Sequence, residues 1–253
     1  MLVAKKFFIH FPEKDAQKMG PLDFEVEEGA FCLVLGRTGS GKTTLLRAIY
    51  GLLKTSGTLR LGDIDILSWP VVMRRRFFAW IGDEQWCEPT LPVNENLDYL
   101  LPLYPDFDRD TFEKMMTEFE ISPIDRAKPV CLLSAGQKIL LQTAFAFAKK
   151  PKLILVDEPM ITMLPKEREL WLQGLHDRAE AAGITVLMAT HVLDSLRSIT
   201  DRVILMEGGR ITACERADSP KRSVAMQRAR LMFRSMTQRE EENFWAGKDG
   251  PGL

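Results

Sequence analysis

Gly36-Arg37-Thr38-Gly39-Ser40-Gly41-Lys42-Thr43 is the first stretch of this sequence whose residue types and spacing could do chemistry. Glycines let backbone N–H groups converge on a phosphate without a Cβ in the way. Lys42 brings a point charge to the outer phosphates, the Thr43 hydroxyl can ligate Mg²⁺, and a helix starting here adds the positive end of its dipole. The loop sits between an apolar run, Phe31–Leu35, and a helical stretch, Lys42–Leu53, which is the context a nucleotide-phosphate loop requires. Alone it indicates a nucleotide binder and does not separate a GTPase, a small-molecule kinase or a transport ATPase.

A second group stands at the end of another apolar run, Lys152-Leu-Ile-Leu-Val-Asp157-Glu158. An acid at the C-terminal end of a parallel strand reaches a ligand in the crevice there. Asp157 would hold Mg²⁺ through water, and Glu158 could polarise an attacking water as general base. Cys32, Cys87, Cys131 and Cys214 contain no C-x-x-C pair, and the three histidines are scattered, so neither a disulfide framework nor a zinc site is expected. Cys32 reads as a buried free thiol.

The elements that must position these groups follow from periodicity. Val3–Phe11 and Leu22–Val26 read as strands, Phe31–Leu35 as a strand buried on both faces, and Thr58–Leu61 and Asp63–Leu67 as short strands about a Gly62-Asp63 turn. Val93–Ile139 has helical periodicity broken by prolines, which predicts a helical subdomain of about residues 90–145 inserted into an α/β core. The α/β rhythm returns with a strand at Lys152–Val156, a helix at Lys166–Ala182, a strand at Ile184–Ala189, a helix at Val192–Ile199 and a hairpin of Arg202–Met206 with Arg210–Cys214. The expectation is a layered α/β fold over residues 1–215 with a basic extension over 216–253.

The 253 residues are 45% hydrophobic and 27% charged with a net charge of −1, which excludes a disordered chain and makes a strongly basic nucleic-acid binder unexpected. No apolar stretch approaches the roughly 18–20 residues of a membrane span, and no secretory signal is evident, so a cytoplasmic chain is expected.

Between the two chemical groups lies Leu133-Ser134-Ala135-Gly136-Gln137, 20 residues before Asp157; Gln85 follows Lys42 by 43 residues, and His191 follows Glu158 by 33. In this order the features resemble the ATP-binding cassette (ABC) ATPases, the nucleotide-binding subunits of ABC transporters, over about Leu2 to Glu215. The resemblance implies a P-loop NTPase (RecA-like) core with an antiparallel β subdomain and an inserted helical subdomain. It implies ATP and Mg²⁺ as cofactors and a phosphate loop running from Gly36 through Thr43 to Thr44. Gln85 would be a Mg²⁺ and water sensor and His191 the switch histidine on the γ-phosphate. Ser134, Gly136 and Gln137 would belong to the signature motif, which caps the ATP of the opposite subunit. Phe11, 25 residues before Gly36, stands near the position of the aromatic residue that stacks on adenine.

The same resemblance implies a homodimer or heterodimer of ATPase subunits that closes on ATP. It also implies a transmembrane permease partner that holds the chain at the inner face of the cell membrane. The alternatives are a soluble ABC ATPase without a transport role and a degenerate subunit of a heterodimer. Two departures bear on them: Ala135 stands where the family has glycine, and Leu164 where it has an aspartate that links the two sites of the dimer. Trp86, Tyr99, Tyr104 and Phe107 are candidates either for the permease surface or for the helical subdomain's core. Arg74-Arg75-Arg76 reads as a solvated edge before a strand. Residues 216–239 carry seven basic side chains against Asp218 alone, with Ala225, Ala229, Met232, Phe233 and Met236 at helical spacing.

Overall fold

In the computed structural model the described residues are 1–11, 18–82, 86–158, 163–190 and 199–217. In chain order the strands are β1 (Leu2–His10), β2 (Lys18–Val26), β3 (Phe31–Leu35), β4 (Lys54–Leu61), β5 (Ile64–Asp65), β6 (Phe78–Ile81), β7 (Leu153–Asp157), β8 (Thr185–Thr190), β9 (Arg202–Glu207) and β10 (Arg210–Arg216). The α-helices are α1 (Lys42–Tyr50), α2 (Val71–Phe77), α3 (Val93–Leu100), α4 (Arg109–Glu118), α5 (Pro123–Arg126), α6 (Ala135–Ala148) and α7 (Pro165–Ala181).

One sheet has the order β10-β9-β3-β8-β7-β6, parallel from β9 to β6 and closed by the antiparallel edge β10. The other is a four-stranded sheet, β2-β1-β4-β5, antiparallel at each pairing. Strands β3, β6, β7 and β8 are buried along their whole length, as expected of parallel strands covered on both faces. Alternate residues feed two cores. Leu33, Leu35, Val156, Met188 and Ile81 join the helical side with Phe112, Leu141 and Trp171. Cys32, Val34, Leu155, Leu187 and Phe78 join α1 and the antiparallel sheet through Leu46, Phe7 and Leu22.

The insertion between β6 and β7 is helical, as its periodicity indicated; a single Pro92–Pro129 bridge is its only β pairing among the described residues. Three expectations change. Helix α1 stops at Tyr50 because Gly51 takes a left-handed cap (φ 92°) and returns its N–H to Ala48 O. Asp63–Leu67 is mostly not a strand: β5 spans two residues and Ile66–Ser68 is a 3₁₀ turn that Asp65 caps. Arg74–Arg76 is the last turn of α2: Arg75 is exposed, as a solvated edge requires, but Arg74 is buried against Gly51 and donates to Leu67 O at 3.3 Å. The proposed helix Val192–Ile199 and the basic extension lie outside the described residues, apart from Ile199, Arg216 and Ala217.

The C-terminal cap of α6 is Lys149, a buried lysine whose ammonium donates to Arg75 O at 2.7 Å and Phe78 O at 2.9 Å and lies 4.6 Å from the Tyr104 ring centre. Burial, with a smaller push from Arg75, lowers its pKa from 10.5 to about 7. Between those values the unfolded chain binds a proton that the folded chain does not, so stability rises with pH across that window. Below it both states are protonated and the slope vanishes. Denaturant unfolding of wild type at pH 7 to 9.5 is expected to gain up to about 1.4 kcal/mol per pH unit over Lys149→Met; parallel profiles would remove Lys149 as the cause.

Candidate active site

The strand order decides where the chemistry meets. β3 and β7 flank β8, so the loop after β3, the acids ending β7 and the end of β8 open side by side at the carboxyl edge of the sheet. The register sets Leu35 beside Thr190 and Asp157 beside Ala189, and the Glu158 N–H donates to Ala189 O at 3.1 Å. His191, the residue after β8 in the sequence, lies outside the described residues, as does Gln85.

The phosphate loop is braced from behind. A Cβ on Gly36 would lie 2.4 Å from the backbone Met206 O, which excludes a side chain there, and one on Gly41 would lie 2.7 Å from Met19 Sδ, which would have to move aside. Gly41 also takes a left-handed cap (φ 101°) at the start of α1. The Gly209 N–H donates to Ser40 O at 3.1 Å, fastening the loop to the β9–β10 turn. Arg37, Thr38 and Gly39 are exposed at the mouth, and Thr44 is half-buried in the first turn of α1.

Lys42 is 4% exposed. Its ammonium donates to Gly36 O at 2.9 Å and Arg37 O at 3.2 Å, and pairs with Glu158 Oε1 at 3.1 Å. The Thr43 hydroxyl donates to Asp157 Oδ1 at 2.9 Å across 114 residues of sequence. Ser40 Oγ is buried with no hydrogen-bond partner among the described residues, a polar atom that a phosphate oxygen would satisfy. A hydroxyl and a carboxylate oxygen in contact are hard ligands of the kind Mg²⁺ takes, so this pair fits the ion. Glu158 adopts φ 43°, a left-handed conformation that costs a non-glycine residue energy and clusters at functional sites.

Other candidates are placed elsewhere. Ser134 caps α6: its Oγ accepts from Gln137 N at 3.1 Å while Gln137 Oε1 accepts from Ser134 N at 2.9 Å. This reciprocal cap leaves Ser134 and Ala135 exposed, with Gly136 half-buried in the first turn. Phe11 is half-buried against the core under the antiparallel sheet. The four aromatic candidates divide: Trp86, Tyr104 and Phe107 surround Phe145 at centroid distances of 4.7, 5.6 and 5.3 Å, whereas Tyr99 is 71% exposed. Leu164 is the N-cap of α7 and is 66% exposed; Glu167 accepts its N–H, but a leucine accepts nothing in return. Leu164→Asp supplies that acceptor and a charge at the helix N-terminus, and is expected to stabilise the fold by about 0.5–2 kcal/mol in denaturant unfolding. An unchanged midpoint would mean the first-turn amides of α7 are already satisfied.

The contacts of Met19 and Gly209 behind the loop were not legible in the sequence, nor was Gln142, whose side chain hydrogen-bonds Gly82. The left-handed Glu158 was equally hidden, since glutamate carries no signal for it.

Residues 19–161 match the ABC transporter family. The phosphonates import ATP-binding protein of Hyphomonas neptunium is 31% identical over 200 residues, covering 74% of this chain and 77% of that protein. The sulfate/thiosulfate import ATP-binding protein of Vibrio cholerae is 32% identical over 228 residues, and this chain spans 58% of its length. Among solved structures, an ATP-binding subunit of an ABC transporter superposes with a TM-score of 0.76 at 21% identity, over 92% of this chain and 99% of that one. A dimeric ATP-binding cassette bound to ADP and Pi gives 0.74 at 23% identity, over 85% and 98%. At these identities the structures establish the fold, and the sequence matches establish kinship: the chain belongs to the ABC transporter family.

Proposed function

We infer that this chain is the ATP-binding and ATP-hydrolysing subunit of a membrane transporter. The observation that carries the chemistry is the convergence of Lys42, Thr43, Asp157 and Glu158 at the carboxyl ends of neighbouring parallel strands. The amides of the Gly36–Thr44 loop and the Lys42 ammonium bind the phosphates, at the N-terminus of α1. Glu158 takes a proton from the attacking water as its oxygen bonds to the γ-phosphorus and the bond to the ADP oxygen breaks. Thr43 and Asp157 would hold Mg²⁺, which neutralises charge on the phosphate oxygens when bound, with Gln85 sensing it. His191 would contact the γ-phosphate, and Phe11 would lie against the adenine.

Ser134, Gly136 and Gln137 present an exposed helix N-terminus, which suits contact with the ATP of a second subunit in a head-to-tail dimer. Preferential binding of ATP to the closed dimer supplies the work of transport. No helix among the described residues is long and apolar enough to cross a membrane, so this reading assigns the pathway to a separate permease and places the chain peripherally at the cytoplasmic face. Tyr99, Val72 and Leu103 are exposed and so available to a permease. Relatives of similar identity carry names for phosphonate, sulfate/thiosulfate and spermidine/putrescine import, which supports a shared engine whose substrate is chosen by other subunits. The test is phosphate release from MgATP by the purified chain, alone and with the membrane protein that copurifies with it. Stimulation by that protein is expected, whereas unstimulated hydrolysis with no membrane partner would favour a soluble ABC ATPase.

A further inference from the structure

The amino edge of the parallel sheet, away from the phosphate loop, carries a cleft of about 1110 Å³. That is just above the roughly 300–1,000 Å³ typical of small-molecule sites. Lys152 lines it at the head of β7, which sets the cleft roughly 16 Å from Asp157 at the other end of that strand. The neighbouring strands fix the lysine's backbone: its N–H donates to Phe77 O at 2.7 Å, and its carbonyl accepts the Thr185 N–H at 3.4 Å. Several elements supply the apolar lining. Trp69 and Phe77, with ring centroids 5.2 Å apart, flank α2; Met115 comes from α4 in the helical insertion, and Ile64 from β5. Phe147 and Ile184 complete it and are buried. The charges around this lining do not cancel. Each of its three carboxylates is already matched: Glu28 by the Met1 amino group at 3.7 Å, Asp63 by Arg60 at 3.9 Å, and Glu118 by both Arg178 and Lys114. Lys150 is held by Asp108 at 3.1 Å. Lys152 is exposed and has no ion pair among the described residues. An apolar cleft with a spare cation complements a ligand that joins an apolar body to an acid group.

We propose that this cleft binds an anionic amphiphile, its apolar body against Trp69, Phe77 and Met115 and its acid group at Lys152. The ligand touches α4, the Trp69–Phe77 pair and the head of β7 at once, so it bridges the helical insertion and the sheets. Fatty acids and aromatic acids share the required chemistry. The site is separate from the phosphate loop and does not depend on the ATPase reading.

The probe is anilinonaphthalene sulfonate, a fluorescent aromatic anion, titrated into the purified full chain, with laurate and naphthoate as competitors that separate an acyl body from a ring body. Four forms are compared: wild type, Lys152→Glu, Ile64→Glu and, as a control for net charge, Lys54→Glu, an exposed lysine outside the cleft. Thermal unfolding is recorded for each. Saturable binding at one site per chain is expected in wild type and Lys54→Glu, with displacement by at least one competitor and none by MgATP. Lys152→Glu and Ile64→Glu are expected to weaken the probe by about 5-fold or more at an unchanged unfolding midpoint. If Ile64→Glu fails to fold, the surface change Lys152→Glu carries the same readout. Equal affinity in wild type and folded Lys152→Glu overturns the proposal, as does the absence of saturable binding. Displacement by MgATP assigns the probe to the phosphate loop instead, and binding that weakens as chain concentration rises assigns the cleft to a second copy; either result also overturns it.

Discussion

Replacing Glu158 by glutamine is expected to lower the ATP turnover number by about 100-fold or more while MgATP still binds. The substitution keeps the side chain's length and its Oε1, and it removes the carboxylate that would carry away a water proton. It is a clean probe because Glu158 sits at φ 43°, where glutamine is strained to the same degree as glutamate. Alanine would instead delete the contact with Lys42 along with the base. The ion pair of Glu158 with Lys42 at 3.1 Å is also lost in the glutamine variant, which leaves the ammonium freer for phosphate. ATP affinity should therefore hold or rise, and an ATP-dependent dimer should accumulate in light scattering. Equal turnover of the two proteins would remove Glu158 from the role of base.

Lys42→Ala carries the second large effect and acts on binding. The lysine is almost fully buried, and its three donors point at Gly36 O, Arg37 O and Glu158. Removing a charge-assisted contact to phosphate costs about 1.5–3 kcal/mol, or roughly 10- to 100-fold in affinity. The loop also loses two internal hydrogen bonds, and Glu158 loses its cation, so the upper part of that range is expected. Calorimetric titration with MgATP measures it. A variant that binds as tightly as wild type would refute the assignment of Gly36–Thr44 as the phosphate loop.

Much of this was legible before any coordinates, because the relevant chemistry is written locally. Glycine at 36 and 41 is required by backbone approach and Lys42-Thr43 by phosphate and metal. Leu153–Val156 reads as a buried strand that delivers Asp157 to its carboxyl end, since continuous apolar runs belong to parallel strands. The helical insertion was visible in its periodicity and its prolines. These patterns act over a few residues, where dihedral preference and side-chain spacing leave little choice. What the sequence left open was adjacency across long separations. Periodicity separates a strand from a helix and says nothing of strand order, yet the order β3-β8-β7 is what brings Thr43 within 2.9 Å of Asp157. It likewise predicts neither the burial of Arg74 in what read as a solvated edge, nor the division of the aromatic cluster between Phe145 and solvent. Nor does it show that Gln142 would find Gly82 across 60 residues. Such pairings are chosen by the simultaneous packing of two cores on one sheet, a condition on the whole chain that no local window contains.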